Sequence, residues 1–403
     1  MKILVVTPWF PNHPNDQHGN FILDSVEGLI GCNHEVGVIL TRPRLSRLLA
    51  SRSRPDAAEI GPEIRKRGFK IICQRFFSIP RHHLRVISNR LYVNACFKTV
   101  HRFALENAVD IIHAHTELAG TLCCAVGKSL DLPVVTTVHG MDRHHRYLRG
   151  LAQRTFLRVA LSSPERLVLV GRPLMDFVRN YITSTHHVRI VHNGFREQAA
   201  ESCKARSVLQ STSKIQLISV SNLVEGKGID MNLAVLARPE LIARRNWHYH
   251  IVGGGSMRDA LRAQAQSAGI VDRVTFHGQC STDVVFRLLA SADVFMLPSA
   301  PEAFGIAYIE AMACGLLTIG AVGQGPATFI RDGYTGFLVD PHEASSLAAR
   351  LIDILESGSK YAALAEAGRK HVWQHYTWQA HGRNLTEVLL EAREAKKSAL
   401  VCN

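Results

Sequence analysis

No apolar run in the 403-residue sequence approaches the roughly 18 to 20 residues that cross a bilayer, so no transmembrane helix is expected. A secretory leader is not expected either, because the opening MKILVVTPWF is a short strand-like run stopped by Pro8 and has no small-residue cleavage site. The expected location is therefore the cytoplasm. Cysteine is sparse and unpatterned: nine residues, an odd number, with Cys123 and Cys124 adjacent and none at metal-ligand or disulfide-framework spacing. These read as reduced core thiols. No helix-turn-helix, zinc-finger or RNA-binding aromatic signature occurs, and nucleic acid is not an expected partner. Acidic residues are scarce in one half only. Up to residue 195 there are 14 Asp and Glu against 26 Lys and Arg, which places a net +12 of the chain's +13 there.

What is present is the pattern of a two-domain α/β protein. The length exceeds what one core usually organises, and 46% hydrophobic content fits two substantial cores. Apolar runs rich in Val, Ile and Leu alternate with helical-period segments, as in a parallel sheet covered on both faces. In the first half the predicted strands are 3–7, 35–40, 70–73, 110–115, 134–138, 166–170 and 188–191. A second series follows at 215–220, 247–252, 273–276, 293–297, 316–319 and 336–339, and helices are predicted over 344–356, 360–375 and 378–396. The polar segment 196–214 reads as a linker. The expected organisation is a first domain over 1–195, a second over 215–375, and a C-terminal helix within 376–403 that crosses back to the first. Two doubly wound Rossmann-like domains would face a central cleft, with ligand at the carboxyl ends of the strands.

The run PSAPEAFGIAYIEAMACG, residues 298–315, follows a predicted strand and opens a helix near Gly305. Free N–H groups around Phe304, Gly305 and Ile306 would make an anion site there. Glu302 and Glu310 flank the helix start. A glycosidase places its two carboxylates roughly 5 to 9.5 Å apart, whereas eight residues of helix separate these by about 12 Å. The pair suits a grip on two parts of one elongated ligand. The remaining alternative is an N-terminal helix-dipole Glu with a solvated helix Glu.

A Glu, seven residues and a second Glu in such a stretch resemble the retaining glycosyltransferase family 4 of the GT-B fold, and the likeness covers nearly the whole chain. The resemblance implies that Glu302 contacts donor-sugar hydroxyls, that Glu310 binds the ribose hydroxyls of a nucleotide, and that the backbone at Phe304 and Gly305 approaches sugar and diphosphate. In VSNLVEGKGID, residues 220–230, Lys227 matches the family's diphosphate Lys, but Asn222 stands where the family has Arg and supplies no charge. IVGGGSMRDAL, residues 251–261, places Gly253 in the second nucleotide-side loop, although tight strand-helix packing also accounts for it. TTVHGMD, residues 136–142, resembles the segment whose His, here His139, reaches the reacting sugar. FPNHPNDQHGNF, residues 10–21, puts Gly19 beside the diphosphate.

His113 and His115 share a strand face and suggest a metal pair, but no third ligand is evident and no Asp-x-Asp triplet occurs. No metal and no other cofactor is expected. The resemblance implies transfer with retention from a nucleotide-sugar donor to a glycan or lipid-linked acceptor, with the first domain on the acceptor side, and the early loop with its GNF resembles that of members that assemble bacterial cell-surface polysaccharides. Rival readings are a nucleotide-sugar epimerase or phosphorylase of the same fold and a catalytically silent glycan- or membrane-binding relative, which Asn222 keeps open. Between Arg42 and Arg102 basic residues interleave with Leu48, Leu49, Phe69, Phe76, Phe77 and Leu84. This stretch is either a peripheral contact with an anionic membrane surface or polymer, or a solvated basic face.

Overall fold

The computed structural model describes every residue except 14, 15, 17, 45–59, 78–84, 141–150, 204–213, 402 and 403. Arg47, Leu48, Leu49, Arg52, Arg54, Arg81 and Leu84 of the basic stretch lie outside the described residues, as do Met141 and Asp142 of TTVHGMD and most of the 196–214 segment. The chain forms two compact units, Met1–His192 with Trp378–Asn403 and Asn193–Thr377.

The first unit holds seven parallel strands: β1 (Lys2–Thr7), β2 (Glu35–Arg44), β3 (Lys70–Phe77), β4 (Ile111–His115), β5 (Val134–Val138), β6 (Arg166–Leu169) and β7 (Val188–Ile190), in the order β3-β2-β1-β4-β5-β6-β7. Side chains alternate across a strand, and in β1 both sets meet apolar cores. Ile3 and Val5 pack with Leu23 and Val26 of the helix Asn20–Gly31, while Leu4 and Val6 pack with Tyr92 and Val100 of the helix Arg85–Glu106 and with Leu122 of the helix Glu117–Leu130. Burial on both faces is why the strands read as continuous apolar runs. β2 and β3 extend beyond the predicted 35–40 and 70–73 because they pair with each other through Arg42↔Arg75, Pro43↔Phe76 and Arg44↔Phe77, a polar stretch that hydropathy alone does not mark.

The helix Trp378–Val401 belongs to this unit. Leu385, Val388, Leu389 and Ala392 join the core with Ile3, and each buried Leu or Val contributes about 1.5 to 3 kcal/mol. His381 fixes its register: Nδ1–H donates to the His192 carbonyl at 2.7 Å, which leaves Nε2 to accept from Ser25 Oγ at 2.8 Å. Glu391 accepts from Arg166 at 3.0 Å and from Arg189 at 2.8 Å.

The second unit holds β8 (Ile215–Val220), β9 (Trp247–Val252), β10 (Val274–Gly278), β11 (Val294–Met296), β12 (Leu317–Ala321) and β13 (Phe337–Val339), all parallel, in the order β10-β9-β8-β11-β12-β13. β11 is shorter than the predicted 293–297, and the Asp293 carboxylate accepts from the Gln216 N–H at 2.6 Å. Within the segment read as a linker, Glu197–Glu201 is a short helix. Helices follow at Ala344–Ser357 and Ala362–His375, joined by a 3-10 turn at Gly358–Tyr361. The cysteines correct the sequence reading. Cys96, Cys123, Cys203 and Cys314 are buried, but Cys73 is exposed on edge strand β3, and Cys32, Cys124 and Cys280 are half-buried.

Candidate functional site

In each sheet the strand order reverses once, between β1 and β4 and between β8 and β11, and open α/β sheets bind ligands at the carboxyl ends of such strands. Gly19 follows β1, Asn222 and Lys227 follow β8, and Glu302, Phe304 and Gly305 follow β11, whereas His139 follows β5, Gly253 follows β9 and Glu310 lies within the helix Ile306–Ala313.

In the second unit Lys227 stands on the loop after β8 and Glu302 on the loop after β11. Gly226 O accepts from the Ala300 N–H at 2.8 Å and holds the loops together. Lys227 Nζ donates to Glu302 Oε2 at 2.7 Å, and buried Ser299 Oγ donates to the same oxygen at 3.1 Å. The two side chains retain 25% and 13% exposure, so the ion pair is largely withdrawn from water while still reachable from it. The Glu302 main chain is held on both sides: its N–H donates to Gln324 Oε1 at 2.9 Å and its carbonyl accepts from the Gly325 N–H at 2.9 Å.

The helix Ile306–Ala313 begins beside this pair with Gly305 as an N-cap that has no side-chain capping bond. Its first N–H groups and dipole favour an anion. Gly305 has φ 93°, and a Cβ there would sit 2.5 Å from the ring of Tyr308, which is fully buried and donates its hydroxyl hydrogen to Leu297 O. Packing of Tyr308 therefore requires glycine at 305. Phe304 packs its ring on Phe329 (5.3 Å between centroids) and Tyr376 (6.1 Å) and is 2% exposed, with its main chain packed against Gly325. Glu310 lies part-buried in the helix. Asn222 is exposed just past β8, where Ser221 N–H donates to Val252 O and Leu223 N–H to Gly254 O, tying this loop to the one carrying Gly253.

In the first unit Gly19 is buried, has φ 81° and caps the helix Asn20–Gly31; a Cβ would lie 2.5 Å from Phe10 N. Two residues onward, Phe21 rests on His139, with centroids 4.8 Å apart, and Trp9 lies 6.4 Å from the same ring. The early loop and the end of β5 thus meet. His139 Nε2 is 2.7 Å from His115 Nδ1, with the rings inclined by 15°. Burial, reinforced by repulsion from His113 and His381, lowers His139 to about 3. His115, with 2% exposure, lies well below the usual histidine value, for burial first and its histidine neighbours second. His113, lowered to about 3 by burial, bonds Thr137 Oγ1 at 2.8 Å. Among the described residues no group of three or more His, Cys, Asp or Glu is arranged to hold a metal ion.

Sequence reasoning missed Ser299 and Gln324, which position Glu302, and read His115 only as half of a metal pair. Gln324 carries no local signal because it arrives 22 residues after Glu302. The basic stretch needs correction. Arg42 is buried, its guanidinium donating to Asn12 Oδ1 at 2.5 Å, and Phe69 and Phe76 are buried. Arg75, Arg90, Lys98 and Arg102 are exposed with Ile72, Phe77, Ile87 and Leu91 on β3 and the adjoining helix. Among the described residues no helix is long and apolar enough to cross a membrane.

Residues 18–198 match the description "Glycosyltransferase Family 4" and residues 204–371 match "Glycosyl transferases group 1". The chain is 28% identical to the D-inositol 3-phosphate glycosyltransferase of Thermobispora bispora over 311 residues, 71% of each chain. Its fold is similar to that of sucrose-phosphate synthase from Thermosynechococcus elongatus, with TM-score 0.72, 19% identity and coverage of 96% and 98%. It is also similar to that of Anabaena HepE in complex with UDP-glucose, with TM-score 0.69, 20% identity and coverage of 96% and 99%. With two parallel-sheet Rossmann-like units and both family halves in order along the sequence, the chain belongs to glycosyltransferase family 4 and is a glycosyltransferase of the GT-B fold.

Proposed function

We propose that the protein transfers a sugar, with retention of anomeric configuration, from a nucleotide-diphosphate sugar to a glycan or lipid-linked acceptor in the synthesis of a cell-surface polysaccharide. The observation that carries this reading is the Lys227–Glu302 pair at the strand reversal of the second sheet, beside the start of the helix Ile306–Ala313. A departing diphosphate needs positive potential. Lys227 supplies it together with the N–H groups at Phe304, Gly305 and the first helical turn, without a metal ion. Asn222 and the Gly253 loop add hydrogen bonds but no charge. Glu302 then turns from Lys227 to donor-sugar hydroxyls, and Glu310 takes the ribose hydroxyls. For Gly19 and His139 of the first unit, the family resemblance implies roles toward the diphosphate and the reacting sugar respectively. No protein nucleophile is required, because the leaving diphosphate helps remove the acceptor proton and the protein acts by positioning and electrostatics.

The exposed Arg75, Arg90, Lys98, Arg102, Phe77, Ile87 and Leu91 fit peripheral binding to an anionic membrane on the cytoplasmic side, where a lipid-linked acceptor would lie. Sedimentation with anionic but not neutral liposomes, weakening as salt rises, is the expected result. Equal recovery with both removes the membrane from the account. For the reaction, nucleoside diphosphate release should depend on added acceptor. Turnover of the donor without any acceptor into an isomeric sugar nucleotide would favour the epimerase reading, and no turnover with any donor would favour the silent relative that Asn222 suggests.

A further inference from the structure

Two polar groups on touching loops of the second unit have no partner. Glu302 Oε2 accepts from Lys227 Nζ and Ser299 Oγ, whereas Glu302 Oε1 bonds to nothing among the described residues. Gln324 is part-buried on the loop after β12, and its side-chain amide uses only its oxygen, which accepts from the Glu302 N–H at 2.9 Å. Chemistry dictates that orientation, because an N–H can be met only by the oxygen end of the amide. The other end, Nε2, therefore carries two N–H donors, and it too has no partner among the described residues. Neither Glu302 Oε1 nor Gln324 Nε2 is among the unpartnered side-chain atoms sealed from solvent, so both are open to it. The main chain fixes the amide in place. Gly325 N–H donates to Glu302 O at 2.9 Å, and a Cβ on Gly325 would lie 2.5 Å from Phe304 N, so residues 324 and 325 lie flat on the loop after β11 in one register.

We propose that Gln324 is a specificity-determining residue that donates an Nε2–H to the donor-sugar hydroxyl next to the one held by Glu302, so that the second unit selects among epimeric hexoses. The proposal rests on the reading of Glu302 as a donor-sugar contact, and every residue in it belongs to the second unit. A free acceptor and a free donor anchored on one stretch of main chain match the two ends of a vicinal diol: one hydroxyl gives its hydrogen to the carboxylate, and the oxygen of the next accepts from the amide. The carboxylate alone registers that a hydroxyl is present. With a fixed donor beside it the direction of the neighbouring hydroxyl counts as well, because an epimer that turns it away leaves a polar group of the site unpaired. Ser299 cannot take this part, since its hydroxyl hydrogen is committed to Glu302 Oε2 and its side chain is fully buried.

The test is calorimetry of the full-length protein with UDP-glucose, UDP-galactose, GDP-glucose and GDP-mannose beside bare UDP and GDP, which needs no acceptor. The readout is the affinity ratio between the two epimers on one nucleotide, from which any effect on the diphosphate cancels. Wild type should favour one epimer of a pair. Gln324→Leu should lower the affinity for that epimer about 2- to 12-fold, as for one lost neutral hydrogen bond, and so narrow the ratio while bare nucleotide binds as before. Gln324→Glu separates sugar reading from mere support of Glu302: its carboxylate still accepts from the Glu302 N–H but has no hydrogen to give, so the ratio should narrow here too. A wild-type ratio in Gln324→Glu or in folded Gln324→Leu overturns the proposal, as does equal affinity of the wild type for both epimers of both pairs. Glu302→Gln with the affinities and ratio of the wild type would instead sink the reading of Glu302 as a sugar contact.

Discussion

Replacing Lys227 by Ala removes the side-chain cation that the structure places between the loops after β8 and β11. In the free protein Nζ is bonded to Glu302 at 2.7 Å with a quarter of the side chain exposed, so it is already largely desolvated where the diphosphate is proposed to bind. Asn222 cannot share the charge. Loss of one charge-assisted hydrogen bond in such a place costs about 1.5 to 3 kcal/mol, or about 10- to 150-fold in donor affinity or in rate at subsaturating donor. The fold should survive, because Glu302 keeps Ser299 and its main chain remains held by Gln324 and Gly325. Lys227→Arg should recover only part of the loss, since a planar fork does not reproduce a point charge on that path. The assay is initial rate against donor concentration, with calorimetry of the nucleoside diphosphate beside it. A folded alanine variant within about twofold of wild type in both would refute the reasoning, because the diphosphate would then be held by another cation.

Glu302→Gln should lower transfer by about tenfold or more while leaving bare nucleoside diphosphate binding intact or tighter, because the carboxylate no longer competes for Lys227; parallel loss of both, in calorimetry and turnover, would contradict its role. Glu310→Gln should weaken nucleoside diphosphate binding more than it alters sugar selectivity, and unchanged affinity removes Glu310 from the site. His381 is lowered to about 4 by burial, and His113 to about 3. Both stay neutral when folded and take up a proton when unfolded below about 6.5, so stability should fall as pH drops from about 6.5 towards 4, by at most about 1.4 kcal/mol per pH unit for each. Denaturant midpoints between pH 7 and 5 test this, and His381→Gln should show a shallower slope.

Much of this was legible in the sequence, and the reasons differ by residue. The strands are buried on both faces, so nearly continuous apolar runs such as Val134–Val138 announced them directly. The Glu302–Glu310 spacing and Lys227 were visible because one loop and one helix start carry them locally. Sheet order was not legible, since it depends on strands that pair from far apart in sequence, such as Ile3 with Ile111 and Leu217 with Val294, and with it went the closeness of Lys227 to Glu302. Ser299 and Gln324 looked like ordinary loop residues until the loops met. Arg42 resembled its exposed neighbours in sequence, although its guanidinium holds Asn12 in the interior. His115 was noticed for the wrong reason, because its strand spacing to His113 is visible in sequence while its bond to His139 arises only when β4 and β5 lie side by side.

The central claim is that the second unit holds a nucleotide-sugar through Lys227, Glu302 and Glu310, and the most direct measurement is thermal unfolding against a panel of UDP-, GDP- and ADP-sugars. Selective binding stabilises the folded state by RT ln(1 + [L]/Kd), about 2.7 kcal/mol at a hundredfold excess over Kd. The account predicts a clear upward shift with sugars of one nucleotide base, reduced in Lys227→Ala and in Glu310→Gln. No shift with any donor, or an equal shift in wild type and both variants, would contradict it.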